Sequence, residues 1–228
     1  IIYINPPYAE AGNSRTMSGT GTHKSGVSNQ NSAHKKFEKI LGKASRELFA
    51  LFMAQIYDHM PNCKIGIFST PKFIQGPNFS KFRNFFLAEY KGGFIVPAWT
   101  FDNVQGKFGI TFTIWDCESK IKIDQVVCDV YNEKAELIGN KKFQAYGKDT
   151  INTWVQKYRI NKDSNTPNFM GYVHCNSADF QQQNTICIQN KMLKGGGTQA
   201  KIFPNNVMFY SIYFAVRHCI KDNWLIHA

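Results

Sequence analysis

The chain has 228 residues, 27 Lys and Arg against 16 Asp and Glu, and a net charge of +11, with 43% hydrophobic and 14% aromatic residues. That much apolar matter excludes a disordered or fibrous chain, and the basic excess points to a polyanionic partner such as nucleic acid. No stretch of eighteen apolar residues is present, which excludes a membrane-spanning helix by sequence, and no signal peptide is evident.

Ile1 to Ile4 form an apolar run that reads as a short buried strand stopped by Pro6-Pro7. The chain opens directly on that run without Met, so we expect a piece of a longer polypeptide. Residues 11–34 are rich in Gly, Ser, Thr and Asn and read as a long polar loop of the kind that carries function. Residues 35–59 then carry a helical period, with Phe37, Ile40, Leu41, Ala44, Leu48, Leu51, Phe52 and Ile56 on one face, ended by Pro61-Asn62. Lys64 to Ser69 reads as a buried strand. Asn78 is placed to cap a second helix whose Phe79, Phe82, Phe85 and Phe86 turn inward, and Gly92-Gly93 breaks it.

The stretches 94–101 and 108–115 follow as strands, the second alternating through Phe108, Ile110, Phe112 and Ile114, and are expected to form an antiparallel hairpin at one edge of a sheet. A strand over 121–131 pairs with one near 135–143 across Asn132-Glu133-Lys134. The first 116 residues thus alternate strand and helix, which predicts an α/β class with a doubly wound sheet. Further on come a helix near 150–158 capped by Asp149, short strands at 171–175 and 185–188, and a last helix from Asn205 or Asn206 to about Lys221 with Val207, Tyr210, Phe214, Arg217 and Ile220 along its face. This change of character divides the chain into 1–118 and an α+β extension, 119–228.

The chemistry concentrates at Asn5-Pro6-Pro7-Tyr8. A strand that ends there presents these groups at the carboxyl edge of a sheet, where ligands of open α/β sheets bind. The prolines fix φ and remove backbone donors, leaving carbonyl acceptors, and the Asn5 side chain adds another acceptor oxygen. Acceptors converging on one point suit an exocyclic amino group: they orient the nitrogen and aim its lone pair. Tyr8 offers a flat face for a base taken out of the duplex, and such stacking is worth roughly 1–3 kcal/mol.

On these residues the chain resembles the adenine-amino (N6) DNA methyltransferases of bacterial restriction–modification systems, and the motif matches their catalytic tetrapeptide. The resemblance covers about residues 1–118, where strand, long loop, helix, strand, helix and hairpin follow in the family's order. It implies a partial doubly wound, Rossmann-like sheet, S-adenosylmethionine as methyl donor and DNA as substrate in the cytoplasm. It also implies a second ring from the hairpin to stack on the extruded adenine. Phe101 is the choice, with Trp99 and Phe108 as rivals. Arg15, His23, Lys24, Lys35 and Lys36, in or just after the polar loop, are candidate phosphate contacts. Lys141-Lys142, Lys157, Arg159, Lys191 and Lys194 add basic character further on.

The family's glycine-rich cofactor turn precedes its catalytic motif, and only four residues precede Asn5 here. Gly195-Gly196-Gly197 follows no clear strand and reads as a loop. The donor site is therefore expected in a missing N-terminal part of the same polypeptide. Two other readings share these residues: an amino methyltransferase acting on a protein glutamine or an RNA guanine, and a nucleic-acid-binding module without catalysis. The six cysteines form no C-x-x-C pair, and His59, His174, His218 and His227 are scattered, so no metal is expected and the cysteines read as free thiols of a reducing compartment.

Overall fold

A computed structural model describes residues 1–7, 31–102, 104, 106–145, 150–162, 164–175, 187–192, 198–219 and 223–226. The chain divides into two compact units, Ile1–Gly147 with Trp224–Ile226 and Ala228, and Lys148–Asn223 with His227.

The first unit is mixed α/β. Its six strands are β1 (Ile2–Ile4), β2 (Lys64–Ser69), β3 (Glu89–Pro97), β4 (Gly109–Asp116), β5 (Gln125–Tyr131) and β6 (Leu137–Gln144). They lie in the order β1-β2-β4-β3-β5-β6. β1 runs parallel to β2 and β3 parallel to β5, and the other neighbours are antiparallel. The 3/4 hairpin forms as predicted but not at an edge. β4 inserts between β2 and β3, so the hairpin sits inside the sheet. β5 and β6, assigned by sequence to the region after residue 118, join this same sheet through Phe94↔Asp129 and Ile95↔Val130.

The helical period over 35–59 resolves into two helices, α1 (Ser32–Leu41) and α2 (Leu48–His59), joined by a 3₁₀ turn over Gly42–Arg46. Asn31 starts α1, its Oδ1 accepting from the His34 N–H at 2.7 Å. Gly42 ends it at φ +59, a left-handed position that glycine takes without strain. The break shifts the helical phase. Phe49 and Met53 are buried, whereas Ile40 and Phe52, predicted to face inward, are 42% and 40% exposed.

After β2 come α3 (Lys72–Gln75), a 3₁₀ turn over Pro77–Phe79, and α4 (Ser80–Phe85). Asn78 lies within that turn rather than at a cap. Phe79, Phe82 and Phe86 are buried and Phe85 packs against them, as predicted. Arg83 is buried among them, its guanidinium donating to the carbonyls of Phe73 at 3.1 Å and Gly76 at 2.9 Å. Gly92-Gly93 does not break the chain: β3 starts before it and passes through on a register shift between Tyr90 and Gly92.

One face of this sheet meets the helices. Ile65, Ile67, Ile95, Trp115, Val126, Cys128 and Val130 pack with Phe37, Phe49, Met53, Phe73 and Phe82 in a single core. The alternate residues turn to the other face. There Tyr3, Phe68, Phe112, Phe94 and Tyr131 touch in a row across β1, β2, β4, β3 and β5, with centroids 5.9 Å apart for Tyr3–Phe112, 4.9 Å for Phe68–Phe112, 5.6 Å for Phe94–Phe112 and 6.1 Å for Phe94–Tyr131.

The second unit holds α5 (Ile151–Gln156), β7 (Gly171–Cys175), β8 (Cys187–Gln189), β9 (Thr198–Ile202) and α6 (Val207–His218). Its antiparallel sheet has the order β8-β7-β9. β9 was not anticipated by sequence. Thr150 caps α5, accepting from the Thr153 N–H at 3.2 Å, and the predicted cap Asp149 lies outside the described residues. Val155, Val173, Ala200, Ile202, Tyr210 and Tyr213 form its core. Asn206 fastens the start of α6: its Oδ1 accepts from Phe203 N–H at 2.8 Å, and its Nδ2 donates to the carbonyls of Lys201 and Tyr158 at 3.0 and 3.2 Å.

Candidate functional site

The carboxyl edge of the first sheet holds part of what the sequence singled out, Asn5-Pro6-Pro7 and the hairpin tip with its aromatic candidates. β1 ends at Ile4, so Asn5, Pro6 and Pro7 follow at that edge, with Asn5 and Pro7 exposed and Pro6 buried. Because β1 and β2 are parallel, β2 ends there too, at Ser69. β4 runs back antiparallel to β2, and β3 antiparallel to β4. β3 therefore points the same way as β1, and the tip after Pro97 returns to the edge that carries Asn5.

That tip is built locally. The Ala98 N–H donates to the Phe108 carbonyl at 2.9 Å and closes its neck, and a 3₁₀ turn over Ala98–Thr100 is held by Phe101 N–H on Ala98 O at 3.1 Å. Phe101 is half-buried and meets Phe68 of β2 edge-on, with centroids 5.5 Å apart. Trp99 is 44% exposed and stands edge-on to Trp224 at 6.2 Å. Phe108 is half-buried beside Gly106, where an added Cβ would meet its ring at 2.1 Å. Of the three aromatic candidates, Phe101 is the one in ring contact with the end of β2 among the described residues.

Two further side chains belong to this edge and were not singled out by sequence. Ser69 Oγ and Thr70 Oγ1, at the end of β2, are buried without a hydrogen-bond partner. An unpaired buried hydroxyl costs about 1–3 kcal/mol, so the end of β2 carries two polar groups whose cost the described residues leave uncompensated. Their neighbour Thr111 is satisfied: its hydroxyl donates to the Ser69 carbonyl at 2.9 Å. Ser and Thr are too common at strand ends for sequence alone to have flagged this pair.

Tyr8, Arg15, His23 and Lys24 lie outside the described residues, as do Lys194, His227 and the triple glycine. Lys35 and Lys36 are exposed in the first turns of α1. The Lys36 ammonium is engaged within the chain, 2.5 Å from Asp58 Oδ2, and this bond holds the Asp58 carboxyl below its ordinary value. Lys142 is exposed opposite Val127, on the sheet face that carries the aromatic row. In the second unit the Arg159 guanidinium donates to Gln199 O at 3.4 Å.

Among the described residues no set at this edge forms a methyl-donor pocket. The turn after β1 is Asn-Pro-Pro and the turn after β2 is Thr-Pro-Lys, and neither has the glycines that let a backbone close on a nucleoside cofactor. Among the described residues no three His, Cys, Asp or Glu side chains gather as metal ligands, and no helix is long and apolar enough to cross a membrane. In chemical type the groups at this edge are acceptors, the Asn5 amide oxygen and the proline carbonyls, and the hairpin tip brings aromatic rings to the same edge. No protein-family model matches this chain, and neither a curated protein nor a solved structure does.

Proposed function

We propose that this chain is the catalytic half of an adenine-specific DNA methyltransferase, which transfers a methyl group from S-adenosylmethionine to the exocyclic amine of adenine. The observation that carries this reading is the meeting at one sheet edge of Asn5-Pro6-Pro7, at the end of β1, with the hairpin tip bearing Phe101.

The work of these residues is orientation. Asn5 Oδ1 and a proline carbonyl accept the two N–H protons of the adenine amine, which fixes the nitrogen and directs its lone pair out of the ring plane. Phe101 stacks on the extruded base, and Tyr8 takes its other face. S-adenosylmethionine supplies an activated methyl, so no strong general base is required. Its pocket is not made by the residues described, and we assign it to a further part of the same polypeptide. The sheet supports that assignment: β1 is the outer one of the described strands, and Tyr3 on its open face is 65% exposed, so a further parallel strand and its helices have a place to pack. Lys35, Arg15, His23 and Lys24 supply phosphate contacts, Lys36 joins them only by exchanging Asp58 for a phosphate, and the basic excess of the chain gives them a favourable field.

Calorimetric titration with S-adenosylmethionine tests the division of labour. This chain alone should give no binding heat, and a longer polypeptide that includes the segment before Ile1 should bind. Absence of binding in both defeats the enzyme reading and leaves a nucleic-acid-binding module. Duplex DNA, RNA and protein offered as alternative acceptors separate adenine from guanine or glutamine amines.

A further inference from the structure

The opposite, amino edge of β2 carries a pair of thiols. β2 starts at Lys64 and β4 ends at Asp116, and these two residues pair. The next pair outward keeps one bond of a rung: Cys117 N–H donates to the Cys63 carbonyl at 3.0 Å, while the Cys63 N–H donates to the Met60 carbonyl at 3.2 Å. The two cysteines therefore face each other across adjacent antiparallel strands, on the side of the sheet that also holds Ile65 and Trp115. In a hydrogen-bonded antiparallel rung the Cα atoms lie about 5.5 Å apart, inside the ~4.4–6.8 Å that a disulfide spans.

The thiols interact directly. Cys117 is fully buried, and burial, followed by the adjoining Cys63, pushes its thiol up to about 12. Cys63 is half-buried at the rim of the sheet, the more accessible of the two. The Lys120 ammonium closes over the same corner, donating to the Pro61 carbonyl at 3.0 Å and lying 4.4 Å from the Tyr57 ring centroid. Two other cysteines face different partners: Cys128 is paired in its ladder with Lys141, and Cys187 with His174.

We propose that Cys63 and Cys117 are an oxidisable dithiol that closes to an intrachain disulfide with a peroxide as oxidant. The Cys63 thiolate attacks a peroxide oxygen, the O–O bond breaks, and hydroxide leaves and takes up a proton, giving a sulfenic acid. The Cys117 sulfur then displaces the sulfenic oxygen. The S–O bond breaks, the S–S bond forms and a second water leaves with the thiol proton. Two thiols are oxidised and one hydrogen peroxide is reduced to two waters. The order follows from access: the rim thiol meets the oxidant and the buried one resolves it. The bridge ties the start of β2 to the end of β4 and encloses α3, α4 and β3.

The test is treatment of the full chain with hydrogen peroxide, alkylation of remaining thiols, and mass mapping of a non-reduced digest. The expected result is a Cys63–Cys117 cross-linked peptide, two hydrogens lighter than its parts and restored by dithiothreitol, while Cys219 forms no cross-link to either of them. Cys63→Ser should abolish this peptide. Oxidation of Cys63 to sulfinic acid while Cys117 stays an unlinked thiol would overturn the proposal, as would cross-links to Cys128, Cys187 or Cys219 in its place. The wild-type map decides the matter even if the serine variant folds poorly.

Discussion

Replacing Gly93 by alanine should destabilise the first unit through one identifiable clash. Gly93 lies in β3 opposite Thr113. A Cβ there would stand 2.3 Å from the Phe112 carbonyl oxygen, 3.1 Å from Thr113 Cα and 3.1 Å from the Tyr90 hydroxyl. The first two are backbone atoms of a strand held on both sides, so no rotamer change relieves the overlap. β3 must move away from β4, which weakens the rungs from Gly92↔Ile114 to Phe94↔Phe112. Overpacking of this kind costs about 1–3 kcal/mol. For a chain of this size that corresponds to roughly 2–12 °C in Tm. Near-ultraviolet circular dichroism reports on this unit through Trp115 and Tyr90, whose centroids are 5.3 Å apart. Gly92 provides the contrast: an added Cβ there meets nothing within 4 Å, and its cost comes only from φ +151. A Gly93→Ala melt that overlays wild type would refute the packing described for the hairpin.

Arg83→Ala should cost about 2–4 kcal/mol in urea unfolding, because it strands the buried carbonyls of Phe73 and Gly76; a loss below about 0.5 kcal/mol would contradict those bonds. Stability should fall at alkaline pH. Burial raises the Cys117 thiol from 9.0 to about 12 and also raises Cys128 and Tyr90, so the folded state keeps protons that the unfolded chain has lost. The stabilisation is complete below pH 9 and disappears as pH rises from 9 towards 12; a flat unfolding midpoint across that range would contradict it. In the intact polypeptide, Phe101→Ala should weaken the grip on an extruded base by about 5- to 150-fold, the worth of one stacked ring, read by fluorescence of 2-aminopurine placed at the target. The fold should survive, since the ring meets Phe68 only edge-on. Loss in Trp99→Ala with none in Phe101→Ala would move the stacking role to Trp99.

Much of the first unit was legible because its strands are short apolar or alternating runs with sharp stops. Ile1 to Ile4, Lys64 to Ser69 and the alternation before Trp115 each fixed a strand within a residue or two. The Gly42 break was hidden because Leu41, Ala44 and Leu51 still bury through the 3₁₀ turn, so the apolar period looks continuous. Gly92-Gly93 misled in the other direction: a glycine pair commonly stops an element, and here it carries a bulge. The place of β4 between β2 and β3, and the parallel contact of β3 with β5, depend on long-range pairing that no local pattern encodes. β9 follows a glycine run that reads as loop, and its buried Ala200 and Ile202 are too few to announce a strand. At the site, Asn5-Pro6-Pro7 stood out because two prolines after a strand are unusual. Ser69 and Thr70 did not, since what distinguishes them is burial without a partner.

The most direct measurement is the product. The intact polypeptide, incubated with unmethylated DNA and S-adenosylmethionine labelled in its methyl group, should place the label on N6 of adenine after digestion to nucleosides. Asn5→Ala, which removes one acceptor for the amine at an exposed position, should lower the rate by roughly 10²–10³ while leaving the melt near wild type, as expected for a group that acts on the reacting atoms. Label on another base or on protein, or an undiminished rate in Asn5→Ala, would contradict the account.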